Sequence, residues 1–332
     1  MVRSHAQYRV RTAAQREETA TVNPTALTRA ARGVRILGML LALAVVTACG
    51  NHPAVPPPAK NPPPQVSIQF SVPTRLSALP FLVAEQMGFF TGITVRPSPA
   101  PASIRVGAPG GHWPIVGVLA ERPDAFLAAP SPDPHFRLRS LRQLTIYYSP
   151  VETSNWPLVS RVLDHHYAFG AVGYSLSFGQ IERLWSPRHL PWALVSLSQW
   201  MQLKASHPDT TLLSWIGAAT GPIYHLVISA DPNTPHLAAV LRGIDLGLWY
   251  VHTTRARLLA KLMASVYHQP VGRLAAEIAA ARAMNFWPEA IIPTEPPYTR
   301  TAVLMSRQPP PWWPAYPTGV NPRPAESALS QP

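Results

Sequence analysis

Forty of the 332 residues are proline, and where they fall decides which part of the chain can pack. Proline lacks an amide hydrogen and fixes its own φ, so runs of it do not enter helix interiors or central strands. The runs Pro56–Pro58, Pro62–Pro64 and Pro309–Pro311 therefore bound a foldable middle, with an extended spacer before it and a tail after it. That middle is long enough for one large domain or two ordinary ones. A hydrophobic share of 47% supports a packed core, while charged residues, at 13%, fall well below the usual quarter.

Ahead of the first proline run, Arg29, Arg32 and Arg35 precede an apolar stretch, Ile36–Val46, followed by Thr47-Ala48-Cys49-Gly50. A membrane-spanning helix needs about 20 apolar residues, so this stretch has instead the length of a signal-peptide core. Cys49 is the only cysteine, which excludes any disulfide framework or all-cysteine metal site. Val46-Thr47-Ala48-Cys49 resembles the bacterial lipobox, whose cysteine thiol receives a diacylglycerol before cleavage. The resemblance implies a leader over 1–48, with the signal peptide at about 29–48, and lipidation at Cys49. A Pro-rich spacer over 49–64 would then lift the domain off the membrane. One acyl chain anchors marginally, so the two or more chains of a lipoprotein matter physically. The location this implies is extracytoplasmic, in the periplasm or on the outer face of the cell membrane.

The net charge is +12; residues 1–48 hold seven arginines and two glutamates, leaving 21 basic against 14 acidic groups beyond them. Such an excess is either a solvated surface or a preference for an anionic ligand or lipid. No basic run carries interleaved aromatics, which argues against nucleic acid as a partner.

The middle alternates elements. Val66–Phe70 has the period of a half-buried strand, and Ser77 stands where it could cap a helix with Leu79, Leu82, Val83 and Met87 on one face. Gly88 reads as its stop and Ile93–Val95 as a second strand. His112–Glu121 is read as helical and Ala125–Leu127 as a third strand, a βαβαβ rhythm that implies a parallel sheet. A second unit follows: a strand at Leu144–Tyr148, a turn at Pro150–Asn155, and a helix at Trp156–Leu163 with Leu158, Val159, Val162 and Leu163 on one side. Strands at Ala193–Leu197, Leu212–Ile216 and Tyr224–Ser229 come next, with Ser198 as a cap. Thr234-Pro235 reads as the start of a long helix carrying the stripe Leu237, Val240, Leu241, Ile244, Leu248 and Val251. Helices near Arg255–Tyr267 and Val271–Met284 close the unit, and the tail from Arg307 is expected not to pack.

Leu79-Pro80-Phe81-Leu82-Val83-Ala84-Glu85-Gln86-Met87-Gly88-Phe89-Phe90 resembles the substrate-binding proteins of ABC importers for nitrate, sulfonates, taurine and thiamine precursors. Arg122-Pro123-Asp124-Ala125, Phe136–Ile146, Trp192–Val195 and Trp215-Ile216-Gly217 resemble later segments of that family, so the likeness runs over about 66–305. It implies an α/β, two-lobed periplasmic-binding-protein type II fold with a helical C-terminal part. The expected division is lobe 1 at 65–139, lobe 2 at 140–221, a return to lobe 1 with C-terminal helices at 222–306, and a disordered Pro-rich tail at 307–332. Two places depart from the pattern. Only Pro130–His135 stand where the family has a longer insertion, and Ser140-Leu141-Arg142-Gln143-Leu144 replaces its usual Asp-Leu-Lys-Gly-Lys turn.

A cleft between two α/β lobes collects strand ends and helix N-termini, whose free N–H groups suit anions. Three loops are therefore candidate ligand contacts: Thr74, Arg75 and Ser77; Thr153, Ser154, Asn155 and Trp156; and Gly110, Gly111, His112 and Trp113. Arg75 could hold an oxyanion with two parallel hydrogen bonds, the glycines allow close backbone approach, and Trp113 could stack on a ring. Trp215 is a further candidate, with Tyr174, Trp185 and Tyr224 as possible lining. Caps, turns and core aromatics remain the plain alternative for all of these. No Gly-x-Ser-x-Gly, phosphate loop or His-Glu-x-x-His is present, and no histidine pair has metal spacing, so no cofactor and no catalysis are expected. The reading is a lipid-anchored binding component that hands a small, sulfonate-like or heteroaromatic ligand to an ABC permease. A ligand-free interaction lipoprotein, using Trp312, Trp313 and Tyr316 of the tail, and an enzyme on the same fold are the alternatives.

Overall fold

The computed structural model describes residues 62–70, 75–110, 112–152, 155–305, 316 and 319–330. The proposed leader and Cys49 lie outside these residues. Within 62–332 the chain forms two five-stranded sheets.

The first sheet begins with β1 (Gln65–Phe70), β2 (Thr94–Ser98), β3 (Ile104–Gly107) and β4 (Ile115–Ala120). It is completed by β10 (Leu226–Ala230), and its order is β2-β1-β3-β10-β4. β1 is parallel to β2 and β3, whereas β10 is antiparallel to both of its neighbours. The second sheet holds β5 (Phe126–Ala129), β6 (Thr145–Tyr148), β7 (Val172–Ser175), β8 (Ala193–Val195) and β9 (Thr211–Trp215), in the order β7-β6-β8-β5-β9. The chain thus crosses from the first sheet to the second at 121–125 and returns at 216–225. β5, expected as the last strand of lobe 1, belongs to the second sheet, so the first crossing comes before 139. The two crossings run side by side: Ile223 N–H donates to Glu121 O (2.7 Å), Ile216 N–H to Ala125 O (3.0 Å), and the Arg122 guanidinium to Gly217 O (3.0 Å).

The helices among the described residues are α1 (Leu79–Gln86), α2 (Trp156–His165), α3 (Phe178–Leu184), α4 (Leu197–Ser206) and α5 (Ile216–Thr220). The later ones are α6 (Leu237–Thr253), α7 (Ala256–Tyr267), α8 (Val271–Ala283), α9 (Glu295–Met305) and α10 (Arg323–Ser330). α1 is buried from Leu79 to Ala84 and packs along α6. Its end is set by Gly88 at φ 68, which lets Phe89 N–H reach Ala84 O (2.9 Å) and Gly88 N–H reach Glu85 O (3.2 Å), satisfying the last carbonyls. The six-residue stripe of α6 is fully buried, as helical spacing requires. Gly243 and Gly247 let α6 approach closely: a Cβ on Gly247 would lie 2.1 Å from Pro80 O. In α2 the buried set is Leu158, Val159, Val162 and Leu163.

Several readings are corrected. Residues 115–120 form β4 and not a helix; the run Ile-Val-Gly-Val-Leu-Ala is buried on both faces and so shows no alternation. β3 lies in a stretch to which no element is assigned from the sequence. Ser77 caps nothing: it sits in a one-turn 3-10 helix (Leu76–Ala78), and its buried hydroxyl has no partner among the described residues. Ser196, not Ser198, caps α4, through a reciprocal pair with Gln199. α6 starts at Leu237 behind His236 at φ 63, later than Thr234-Pro235 suggests. The tail packs in part. Val320 bridges Ile115, with Ile115 N–H donating to Gly319 O (3.0 Å) and Asn321 N–H to Ile115 O (2.8 Å), so residues 319–321 cover the edge of β4. α10 then buries Ala325 and Ala328 beside α6, and Arg242 Nε donates to Ala328 O (3.0 Å).

Candidate functional site

Where the sheets meet, a cavity of about 230 Å³ is lined from both sides. Arg75, which follows β1, and Arg105 with Ala108 and Pro109, on and after β3, come from the first lobe. Asn155 and Leu158, at the start of α2, come from the second. The return crossing supplies Ile223, Tyr224 and His225, and α9 supplies Thr301 and Met305. The arrangement follows from the strand directions: β1, β3 and β6 are laid so that the loops leaving their ends converge on one gap.

Beneath Arg75 lies a buried polar cluster. Glu152, in the turn after β6, is 1% exposed and its Oε1 stands 3.9 Å from Arg75 Nη2, whose side chain is 11% exposed. Asn155 donates from Nδ2 to Glu152 Oε2 (2.6 Å) and to the Asp124 carbonyl (3.4 Å). Asp124, in the first crossing, is buried, and its Oδ1 accepts from Leu197 N–H (2.7 Å) at the start of α4. Burial pushes the Glu152 carboxyl up to about 7, against the opposing pull of Arg75. Burial likewise pushes Asp124 up to about 6, opposed by the Leu197 N–H and then Arg75. His225 is pushed down to about 3 by burial and secondarily by the charge of Arg75, so it is neutral. From the C-terminal helices, Tyr267 donates its hydroxyl to Arg75 O (3.1 Å), while Arg273 on α8 pairs with buried Glu277 (3.0 Å) and donates to Ser198 O (2.7 Å).

Of the expected contacts, the structure brings Arg75 and Asn155 to one cavity although 79 positions separate them. Thr74, Gly111, Thr153 and Ser154 lie outside the described residues. Ser77 is buried rather than facing the cavity. Gly110 is at φ 119 and holds Arg105 Nη1 through its carbonyl (2.8 Å), which fixes that guanidinium. His112 and Trp113 are exposed, Trp113 by 44%, and neither lines the cavity. Trp156 stacks on Tyr148 (5.4 Å, 9°) and over Gly173, where a Cβ would come within 2.4 Å of the ring, so it packs lobe 2. Trp215 stacks on Phe126 (6.1 Å) and Phe286 (5.8 Å), donates to Pro123 O (3.0 Å) and carries Arg122 over its face, a packing role at the crossing. Tyr224 lines the cavity, Trp185 is a core residue bonded to Thr210 (2.8 Å), and Tyr174 is exposed on β7. Arg105, Asp124, Glu152 and His225 were not picked out as contacts. Only Asp124 carried a signal, inside the Pro-Asp-Ala turn.

The cavity offers two guanidiniums and an amide at its polar positions and Leu158, Ile223, Leu226 and Met305 as apolar wall. That suits a small solute with a charged or polar end and an apolar body. Among the described residues no group of three His, Cys, Asp or Glu could hold a metal, and no helix is long and apolar enough to cross a membrane.

Two mixed sheets linked by a double crossing, with a cavity between them, define the two-lobed periplasmic-binding-protein fold. Solved structures share it. A ligand-binding component of an ABC-type import system from Staphylococcus aureus, with zinc bound, is 9% identical over 80% of this chain and 99% of its own, with a TM-score of 0.57. The alkanesulfonate-binding protein SsuA from Xanthomonas axonopodis pv. citri, bound to MOPS, is 15% identical over 74% of this chain and 91% of its own, with a TM-score of 0.53. A mutant of the desulfurization enzyme DSZB in complex with biphenyl-2-sulfinic acid is 12% identical over 80% of this chain and 99% of its own, with a TM-score of 0.56. No protein-family model and no curated protein sequence matches the chain.

Proposed function

We propose that the protein is an extracytoplasmic solute-binding lipoprotein of an ABC importer, anchored through Cys49. It would take a small anionic, sulfonate-like or heteroaromatic solute between its lobes and pass it to a membrane permease. The observation that carries this reading is the cavity lined from both lobes, with Arg75 and Arg105 among its polar groups. A ligand touching both lobes favours the closed arrangement by its extra contacts there, which is how such a fold reports occupancy. Binding components of the same fold hold MOPS or belong to import systems, which supports the reading by analogy of fold. The lipobox-like segment supports export and anchoring.

An enzyme on this fold is the second reading, favoured by the likeness to DSZB. For the interaction-lipoprotein reading, Tyr316 of the tail rests on Tyr298 (5.7 Å) and is half-exposed.

The test is a thermal-shift panel of MOPS, short alkanesulfonates, aryl sulfinates, nitrate and pyrimidines. A binder at a hundredfold excess over its Kd should stabilise by about 2.7 kcal/mol. Arg105→Ala should remove most of that shift, and no compound should be turned over. A shift unaltered in Arg105→Ala would place the ligand elsewhere, and release of sulfite from a sulfinate would establish the enzyme instead.

A further inference from the structure

We propose that the lobes close over this cavity with uptake of a proton by Glu152, so that the closed, anion-loaded cleft is also a protonated one. The anion half rests on the solute-binding reading; the proton half rests on the protein alone.

Glu152 belongs to lobe 2, yet its cationic neighbour, Arg75, belongs to lobe 1. At 3.9 Å that pair is too long for a hydrogen bond, and Glu152 Oε1 finds no donor among the described residues. Asp124, a second buried carboxylate in the first crossing, accepts from Leu197 N–H and feels the charge of the same guanidinium. The other charged or titratable groups packed around the cluster do not make up the difference. His225 on the return crossing is neutral, Glu277 on α8 is matched by Arg273, and burial keeps the Tyr267 hydroxyl on α7 protonated. Arg105, the other guanidinium of the cavity, is held by Gly110 O, so Arg75 is the cation paired with Glu152 while Asp124 adds a second buried carboxylate. A buried, uncompensated carboxylate is costly, and a proton removes that cost.

The proton demand is specific to the closed arrangement. Glu152 is buried and its cationic partner comes from lobe 1, so in this proposal drawing the lobes apart takes Arg75 away and admits water to the acid. The sign follows: the closed state binds more protons than the open one, so acid favours closure and alkali favours opening. An anion at Arg75 competes with Glu152 for the guanidinium and adds a further negative charge, so it raises the demand. Between the ordinary value of 4.5 and the raised value of about 7, anion affinity should fall by up to about tenfold per pH unit as pH rises.

The experiment measures interlobe distance by pulsed electron resonance on the full chain. Spin labels go on exposed Gln86, at the end of α1, and exposed Arg183, on α3, in a Cys49→Ala background. Without ligand, the short-distance fraction should rise as pH is lowered from about 8 to about 5. In Glu152→Gln, which imitates the protonated acid, it should stay high across that range, apart from a residual change at the acid end from Asp124. A distribution that ignores pH in the wild type, or a Glu152→Gln variant that follows the wild type, overturns the proposal. Should Glu152→Gln not fold, infrared difference spectra of the wild type decide: a protonated carboxylic acid band must grow as the lobes close, and its absence overturns the proposal. Calorimetry with MOPS in two buffers of different ionisation enthalpy tests the anion half. Net proton uptake on binding supports it, and binding with none overturns it. If no sulfonate binds at all, the solute-binding reading falls while the ligand-free titration still decides the proton half.

Discussion

Adding one methyl group at Gly247 tests the account of the α1–α6 seam. The added Cβ would lie 2.1 Å from Pro80 O and 3.1 Å from the Ala84 backbone nitrogen and Cβ. A comfortable carbon–oxygen contact is about 3.3 Å, so the helices must part by roughly an ångström. The obstacle is backbone on a buried helix, which cannot swing aside. A radial gap of that size forfeits about a quarter to a half of each dispersion contact across the seam, where Leu79, Val83, Ile244 and Leu248 are fully buried. Overpacking of this kind costs about 1–3 kcal/mol. Replacing a mid-helix glycine with alanine returns up to about 1 kcal/mol of helix propensity, so Gly247→Ala should destabilise by on the order of 1–2 kcal/mol. Gly272, in α8, is the internal control, because nothing lies within 4 Å of its would-be Cβ. Gly272→Ala should be neutral or stabilising by a few tenths of a kcal/mol, since the unfolded chain loses freedom. Thermal unfolding reads both, at about 2–4 °C per kcal/mol for a domain near this size. If Gly247→Ala melts at or above the wild-type temperature, the close approach of α6 to α1 is not what sets this seam.

Four other outcomes are expected. Glu152 is raised from 4.5 to about 7 where it is enclosed, so its stabilising contribution is full below 4.5 and is lost as pH rises through 7; chemical denaturation at about pH 5 and 8 should show a wild-type loss that Glu152→Gln lacks, with about 3 kcal/mol as its ceiling because opening of the lobes relieves the acid. Truncation before Gly319 should lower stability by on the order of 3 kcal/mol in thermal unfolding, because it bares Ile115 and removes the burial of Val320, Ala325 and Ala328; an unchanged Tm would mean that the edge of β4 needs no cover. Thr210→Val should cost about 1–3 kcal/mol by leaving the Trp185 indole N–H buried without its 2.8 Å acceptor, read by denaturant midpoint. Cys49→Ala should abolish acylation and membrane fractionation while the near-UV spectrum of the folded part stays the same.

The parts of the fold that could be read from the chain are those where one face is buried and the other wet. α6 and α2 showed themselves because their apolar residues recur at helical spacing, and the structure buries those same residues. β4 did not, because a strand covered on both faces has no period-2 signal, and a six-residue apolar run cannot be told from a helix by periodicity. β3 has only four residues and stands just behind Pro97, Pro99 and Pro101, too short a signal to mark a strand. α10 hid in the proline-rich tail because its buried set is two alanines, too small to register as an apolar stripe. Caps fall two residues from the expected place at both helices: Ser196 and not Ser198 caps α4, and α6 begins behind left-handed His236 and not at Thr234.

The candidate site divides along a different line. Arg75 and Asn155 were legible because both stand where a strand gives way to a helix, a local signature with a physical reason to face a ligand. Glu152 and Asp124 carry no such signature. Glu152 meets Arg75 only once the chain has crossed to the second lobe, and Asp124, in that crossing, feels the same charge. A lone glutamate in a turn looks like a solvated charge until the fold places Arg75 from the other lobe over it and removes the water. The acid that the anion reading did not foresee therefore bears most directly on it: an arginine already paired with a buried carboxylate attracts a further anion weakly unless that carboxylate first gives up its charge.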